Sequence, residues 1–144
     1  VEHQLESSNV KVRQDLSNVS VVVRGVESKL QQVFLNLFLN ARDAMLTGGW
    51  LTVTSRSENG EVVIEVSDTG SGIPAENLSR IYDPFFTTKG VGQGTGLGLS
   101  VTYGVVQEHH GKIECESEPG HGTSFTLTFP MVSTERVVTK EVVR

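Results

Sequence analysis

The chain has 144 residues, of which 37% are hydrophobic and 20% charged. That balance is too apolar for a disordered tail and too polar for a membrane-embedded protein. Twelve basic against seventeen acidic residues leave a net charge of −5, a poor basis for gripping nucleic acid through a basic face.

The single Cys115 excludes an internal disulfide framework and a cysteine-rich zinc site. No apolar run approaches the ~18 residues of a membrane span. The opening VEHQLESSNV has neither the basic flank nor the apolar stretch of a secretion signal. A cytoplasmic setting is expected for the domain, within a parent that is either soluble or membrane-anchored.

In chain order, residues 1–9 read as the end of a preceding helix or a linker. Val10–Leu16 and the β-branched Val19–Arg24 read as strands joined by a turn at Ser17–Asn18. Lys29–Leu46 is a run of good helix formers stopped by Gly48–Gly49. Leu51–Ser57 and Glu61–Ser67 form a hairpin around Glu58-Asn59-Gly60. A loop, DTGSGI, leads to Pro74 and a short helix over Ala75–Ile81. Asp83–Thr95 is long, glycine-rich and without periodicity. Leu97–His109 is a second long helix that Gly111 could cap. Lys112–Ser117 and Ser124–Phe129 form a last hairpin, and 131–144 is a tail without turn signals.

Antiparallel hairpins separated by helices predict an α+β two-layer sandwich over 10–130. A doubly wound parallel sheet would need single strands and helices to alternate.

Four constellations stand out. On the first helix, Gln32, Asn36, Asn40 and Asp43 fall within an arc of about 80° at ~100° per residue. Amide oxygens are hard donors that suit Mg²⁺, although an exposed polar face or an internal hydrogen-bond network would leave the same stripe. Asp68-Thr69-Gly70-Ser71-Gly72 follows a strand directly. Its carboxylate can accept from an amino group while the glycines let a flat ring approach, or it can close an Asx turn. Gly92 to Leu99 alternates glycine with other residues and runs into a helix, which suits phosphate. It fits the dinucleotide fingerprint poorly because no strand precedes it, and it lacks the Gly-Lys-Ser/Thr of a Walker loop. A flexible linker is the plainer reading, but glycines continuing into a helix weaken it. Phe85-Phe86-Thr87-Thr88-Lys89 lies within the long irregular segment, where aromatics could anchor a lid and Lys89 could reach an anion. A buried aromatic beside a solvated lysine would look the same.

His109 and His110 point in different directions on a helix and have no carboxylate or thiol at ligand spacing, which argues against a metal site there. Cys115 reads as a small core residue.

The order of these signals is more specific than any one of them. Asn36-x-x-x-Asn40-Ala41, Asp68-x-Gly70-x-Gly72, Phe85-Phe86, Gly94-x-Gly96-x-Gly98 and Gly122-Thr123-x-Phe125 resemble the N, G1, F, G2 and terminal G boxes of bacterial sensor histidine kinases. The wording is similar to nitrogen-regulatory and oxygen-sensing kinases. The resemblance implies their catalytic ATP-binding domain, of the Bergerat-type fold shared with gyrase, MutL and the ninety-kilodalton heat-shock chaperones, a mixed, mostly antiparallel sheet covered on one face by helices.

By position it implies that Asp68 binds the adenine amino group, with Gly70, Gly72 and Ile73 beside the ring and Thr123 near it. Asn40 would ligate Mg²⁺, with Asn36 and Asp43 nearby. Phe86 would anchor the lid. Thr87, Thr88 and Lys89 would face the phosphates, and Gly94, Thr95, Gly96, Leu97, Gly98 and Leu99 would wrap them. Asn36 and Lys89 would act in phosphoryl transfer.

The phosphoacceptor histidine of the family has an acid after it on a dimerisation domain. His3 is followed by Gln4, and His109, His110 and His121 fall inside the ATP module. The acceptor is therefore expected on a separate histidine-phosphotransfer domain, with a response regulator downstream, and this domain is expected to be monomeric within a dimeric parent. The helix end reads His110-Gly111 where the family usually has Gly-Gly. The alternative is an ATPase of the same superfamily, MutL- or gyrase-like, which would carry a glutamate base at position 36. A binding module that has lost nucleotide is a third reading, and intact Asp68 and glycine boxes argue against it.

Overall fold

The computed structural model describes residues 10–16, 23–24, 27–84, 86, 98–130 and 142–143. Among these residues, strands β1 (Val10–Leu16), β2 (Val23–Arg24), β3 (Gly49–Glu58), β4 (Glu61–Asp68), β5 (Lys112–Glu118), β6 (Gly122–Pro130) and β7 (Val142–Val143) combine with helices α1 (Glu27–Ala44), α2 (Ala75–Leu78) and α3 (Gly98–Glu108). The main sheet has the order β1-β3-β4-β6-β5. It is antiparallel except at one edge, where β1 runs parallel to β3.

That edge corrects the first predicted hairpin. β1 pairs with β3 across the crossover that contains α1, as a parallel pair requires. Of the Val19–Arg24 strand, Val23–Arg24 pairs instead with Val142–Val143 of the tail, and Val19–Val22 lie outside the described residues. Ser17–Asn18 lacks the Asn-Gly or Asp-Gly chemistry that a two-residue hairpin needs. Glu58-Asn59-Gly60 has it, and there the left-handed φ values of 51° at Asn59 and 78° at Gly60 turn β3 into β4.

The core lies between the sheet and the helices. On α1, Leu30, Val33, Leu37 and Ala41 recur at helical spacing and are buried against Val62, Val66, Phe125, Leu127 and Phe129 of the sheet. Period two governs β5, where Ile113, Cys115 and Ser117 turn inward while Glu114, Glu116 and Glu118 are exposed. Burial pushes the Cys115 thiol up to about 12, with the charges of Asp68 and Glu116 adding. It is partly buried and packs against the core, as expected. α1 and α3 lie antiparallel on this layer: Lys29 pairs with Glu108 at 3.0 Å, and Asn36 meets the first turns of α3.

The end of α3 departs from the sequence reading. The left-handed residue is His110, at φ 60°, and not Gly111. The N–H of Gly111 donates back to the Val106 carbonyl at 3.0 Å in a Schellman-type closure. Gly111 is needed for a different reason: a Cβ there would meet the Thr128 carbonyl and the Phe129 ring.

Candidate functional site

The row Leu51, Asp68, Thr123, Ser117 crosses β3, β4, β6 and β5 at one end of the sheet, on the face that carries the helices. Asp68 therefore stands where the apolar core gives way to the loops. Its Oδ1 accepts the Gly70 N–H at 2.8 Å, so the Asx turn is real. Burial pushes its carboxyl up, opposed by hydrogen bonds from the Gly70 and Thr123 backbones. A half-buried carboxylate with spare acceptor capacity suits a neutral donor such as an amino group.

The glycines around it are set by chain packing. A Cβ on Gly70 would strike the Ala44 carbonyl at the end of α1, and the same carbonyl accepts the Ser71 N–H at 3.0 Å. Gly72, at φ +77°, has the Glu118 carbonyl in its Cβ direction, and Gly122, at φ +102°, has that of Asp68. The 69–73 loop is thus pressed between the end of α1 and the β5–β6 hairpin. Gly120 N–H to the Ser71 carbonyl, at 2.8 Å, closes the second side.

A residue not foreseen among the site candidates completes this end. The Ser117 hydroxyl lies 2.7 Å from the Ile73 nitrogen, 3.0 Å from the Gly122 carbonyl and 2.8 Å from the Thr123 hydroxyl. The signal that could have found it is period two. A serine continuing the inward face of Ile113 and Cys115 is a polar group at the rim of a core.

The other end lies on α1. Asn36 donates through Nδ2 to the Gly98 carbonyl at 3.1 Å and to Thr102 Oγ1 at 3.3 Å, while its Oδ1 accepts from Gln32 at 2.9 Å. Thr102, 0% exposed, is a second residue not foreseen. The first half of the polar stripe is therefore the internal network that the sequence left open, and it ties α1 to the start of α3. The Asn40 carboxamide, one turn on, has no hydrogen-bond partner among the described residues, and Asp43 meets the Arg42 guanidinium at 3.3 Å. About 12 Å of helix separates Asn36 from Ala44 at 1.5 Å per residue, so α1 runs as a rail from the N-terminus of α3 to the Asp68 loop.

Ile73, Phe86 and Leu99 pack against the core. The Arg80 guanidinium lies 4.7 Å from the centre of the Phe86 ring, and the Phe86 N–H donates to the Asp83 carbonyl at 3.2 Å. The structure thus brings together Asp68, Gly70, Gly72, Ile73 and Thr123 at one end, and Asn36, Gly98 and Leu99 at the other. Thr87, Thr88, Lys89, Gly94, Thr95, Gly96 and Leu97 lie outside the described residues. No helix among the described residues is long and apolar enough to cross a membrane.

Residues 25–133 match the family described as histidine kinase-, DNA gyrase B-, and HSP90-like ATPase. The chain is 46% identical to the sensor kinase CckA of Brucella abortus over 75% of its own length and 13% of that protein's. It is 37% identical to the sensor histidine kinase ZraS of Escherichia coli over 94% of its length and 29% of that protein's. The chain thus spans under a third of either relative. Among solved structures, the catalytic domain of histidine kinase ThkA superposes with a TM-score of 0.78 at 32% identity, covering 90% of this chain and 84% of that one. ThkA has also been solved in complex with the response regulator protein TrrA, matching at a TM-score of 0.75 and 29% identity over 91% of this chain and 37% of that one. The chain belongs to the histidine kinase-, DNA gyrase B-, and HSP90-like ATPase family, in which it is a catalytic ATP-binding domain of the histidine kinase type.

Proposed function

We propose that this domain binds ATP with Mg²⁺ and delivers the γ-phosphoryl group to a histidine on a separate dimerisation and histidine-phosphotransfer domain of a dimeric, cytoplasmically facing kinase. A response regulator takes the group onward. The observation that carries the reading is Asn36. A hydrolase of this family needs a base there to take a proton from water, and a carboxamide cannot do so near neutral pH. Here that carboxamide is already bonded to Gly98, Thr102 and Gln32. The names of CckA, ZraS and the ThkA–TrrA complex support the same reading.

Asp68 accepts from the adenine amino group, with Gly70, Gly72, Ile73 and Thr123 around the base. Phe86, seated on the core, anchors the lid. Thr87, Thr88, Lys89 and the segment from Gly94 to Leu99 hold the phosphates by side chain, backbone N–H and helix dipole. The donors fit a magnesium ion held mainly through phosphate: Asn40 offers one neutral oxygen that has no hydrogen-bond partner among the described residues. Mg²⁺ supplies neutralisation of phosphate charge when bound. Asn36 holds the start of α3 against α1, Asp43 flanks the same rail, and Lys89 meets the charge on the group in transit. The acceptor ring nitrogen forms its bond to the γ-phosphorus as the bond to the ADP oxygen breaks.

The test uses γ-labelled ATP, first with this domain alone and then with a separately supplied dimerisation domain. Acid-labile label is expected on the added domain and none on this chain. Stable label on this chain alone, or brisk hydrolysis of ATP by it, would favour the ATPase alternative.

A further inference from the structure

We infer that Ser117 is a positioning residue that makes the base end of the site an acceptor-only surface, and so sets the preference for a 6-amino purine over a 6-oxo purine. The inference rests on the reading of Asp68 as the adenine contact. A hydroxyl has one proton and two lone pairs. Ser117 has three partners: the Ile73 N–H at 2.7 Å, the Gly122 carbonyl at 3.0 Å and the Thr123 hydroxyl at 2.8 Å. The Ile73 N–H can only donate, and the Gly122 carbonyl can only accept. One proton arrangement satisfies all three bonds: Ser117 donates to Gly122 and accepts from both Ile73 and Thr123.

The Thr123 proton is then committed to Ser117, and Thr123 has only lone pairs for anything else. Thr123 is buried and stands directly opposite Asp68 in the β4–β6 register. The Asp68 carboxylate is itself an acceptor. The two side chains together welcome an amino group, which brings two protons, and repel a ring carbonyl, which brings none. Discrimination of this kind is strong because a mismatched group leaves buried polar atoms unpaired. One of the three bonds, from the Ile73 N–H, also holds the 69–73 loop to the β5–β6 hairpin, so the same hydroxyl sets the width of the base pocket and its hydrogen-bond sense.

The experiment is calorimetric titration of the domain with ATP and with inosine triphosphate, which carries oxygen where ATP carries the amino group. Wild type, Ser117→Ala, Ser117→Thr, Thr123→Val and Asp68→Asn are compared. With Ser117→Ala the Thr123 hydroxyl is free to turn and donate. ATP affinity should fall about tenfold, the scale of one hydrogen bond in a desolvated site, and most of the ATP-over-inosine preference should vanish. Ser117→Thr, which keeps the hydroxyl, should retain the preference. Thr123→Val should lose it with Ser117 intact, and this arm decides the matter if Ser117→Ala does not fold. A preference unchanged in Ser117→Ala, or in Thr123→Val, overturns the inference, since a merely structural serine would lower both affinities together. Asp68→Asn separates the two levels. If it abolishes the preference while Ser117→Ala does not, the Ser117 inference alone fails. If it leaves the preference untouched, the adenine reading itself is wrong.

Discussion

The two ends of the site are built on different principles. At the end proposed for the base, Asp68, Gly70, Gly72, Ser117, Gly122 and Thr123 belong to strand ends and to loops pressed against them, and carbonyls fill the Cβ directions of the three glycines. At the end proposed for the phosphates, Asn36 ties α1 to α3, and Asn40 has no hydrogen-bond partner among the described residues. Rigid, fully bonded backbone suits discrimination between bases, because a wrong donor or acceptor finds nothing that can turn to meet it. An unengaged carboxamide on a helix suits an ion and phosphates, which bring their own charge and coordination.

The largest test of this contrast is steric. Gly122→Ala should cost about 3 kcal/mol of folding stability, because it adds both a left-handed φ penalty and a collision with the Asp68 carbonyl. At the other end, among the described residues, a Cβ on Gly98 meets nothing nearer than the Asn36 side chain, at 3.8 Å. Gly98→Ala, in a helix, should stabilise the nucleotide-free domain by about 0.5–1 kcal/mol. Urea melts of the two variants read both effects, and equal losses would erase the contrast.

Next comes Asp68→Asn, expected to cost about 1.5–3 kcal/mol of ATP affinity by calorimetry, as for a charge-assisted hydrogen bond. Its effect on stability should have the opposite sign. Because burial raises the folded-state pKa above the ordinary 3.8, ionised Asp68 costs stability, a cost that sets in as pH rises through the interval between the two values and is fully present at neutral pH. Removing the charge should therefore raise the melting midpoint of the free domain at pH 7. ATP affinity in the wild type should fall as pH is lowered through the raised pKa, and Asp68→Asn should lose that dependence.

The two asparagines should separate by about 1 kcal/mol in stability. Asn36→Ala cuts the bonds to Gly98 and Thr102 and should cost about 1–2 kcal/mol in the free domain. Asn40→Ala should change free-domain stability by no more than ~0.5 kcal/mol yet abolish most of the Mg²⁺-dependent gain in ATP binding. Indistinguishable melts for the two variants would show that the tie carries no weight. A last effect lies away from both ends: His110→Gly should stabilise by about 0.5–1 kcal/mol in a urea melt, since glycine accepts φ 60° without strain.

Much of this was legible in the chain. The helix and strand periods placed α1, α3 and the two hairpins to within a few residues, because each element carries its own apolar face and turn residues. The order of Asn36, Asn40, Asp68, Phe86, Gly98 and Thr123 indicated the family, because side-chain chemistry and spacing are written in the sequence. The parallel pairing of β1 with β3 was not legible, since both partners look alike from one strand and a crossover wins only once α1 lies on the sheet. Nor could sequence tell that Asn36 is bonded while Asn40 has no partner among the described residues: both are asparagines on one stripe, and the antiparallel placement of α3 is what gives Asn36 its partners there. Ser117 shows the same limit most clearly. A serine on the inward face of a strand is visible in the sequence, but its role depends on three groups brought together from the 69–73 loop and the start of β6, and long-range packing alone decides that meeting.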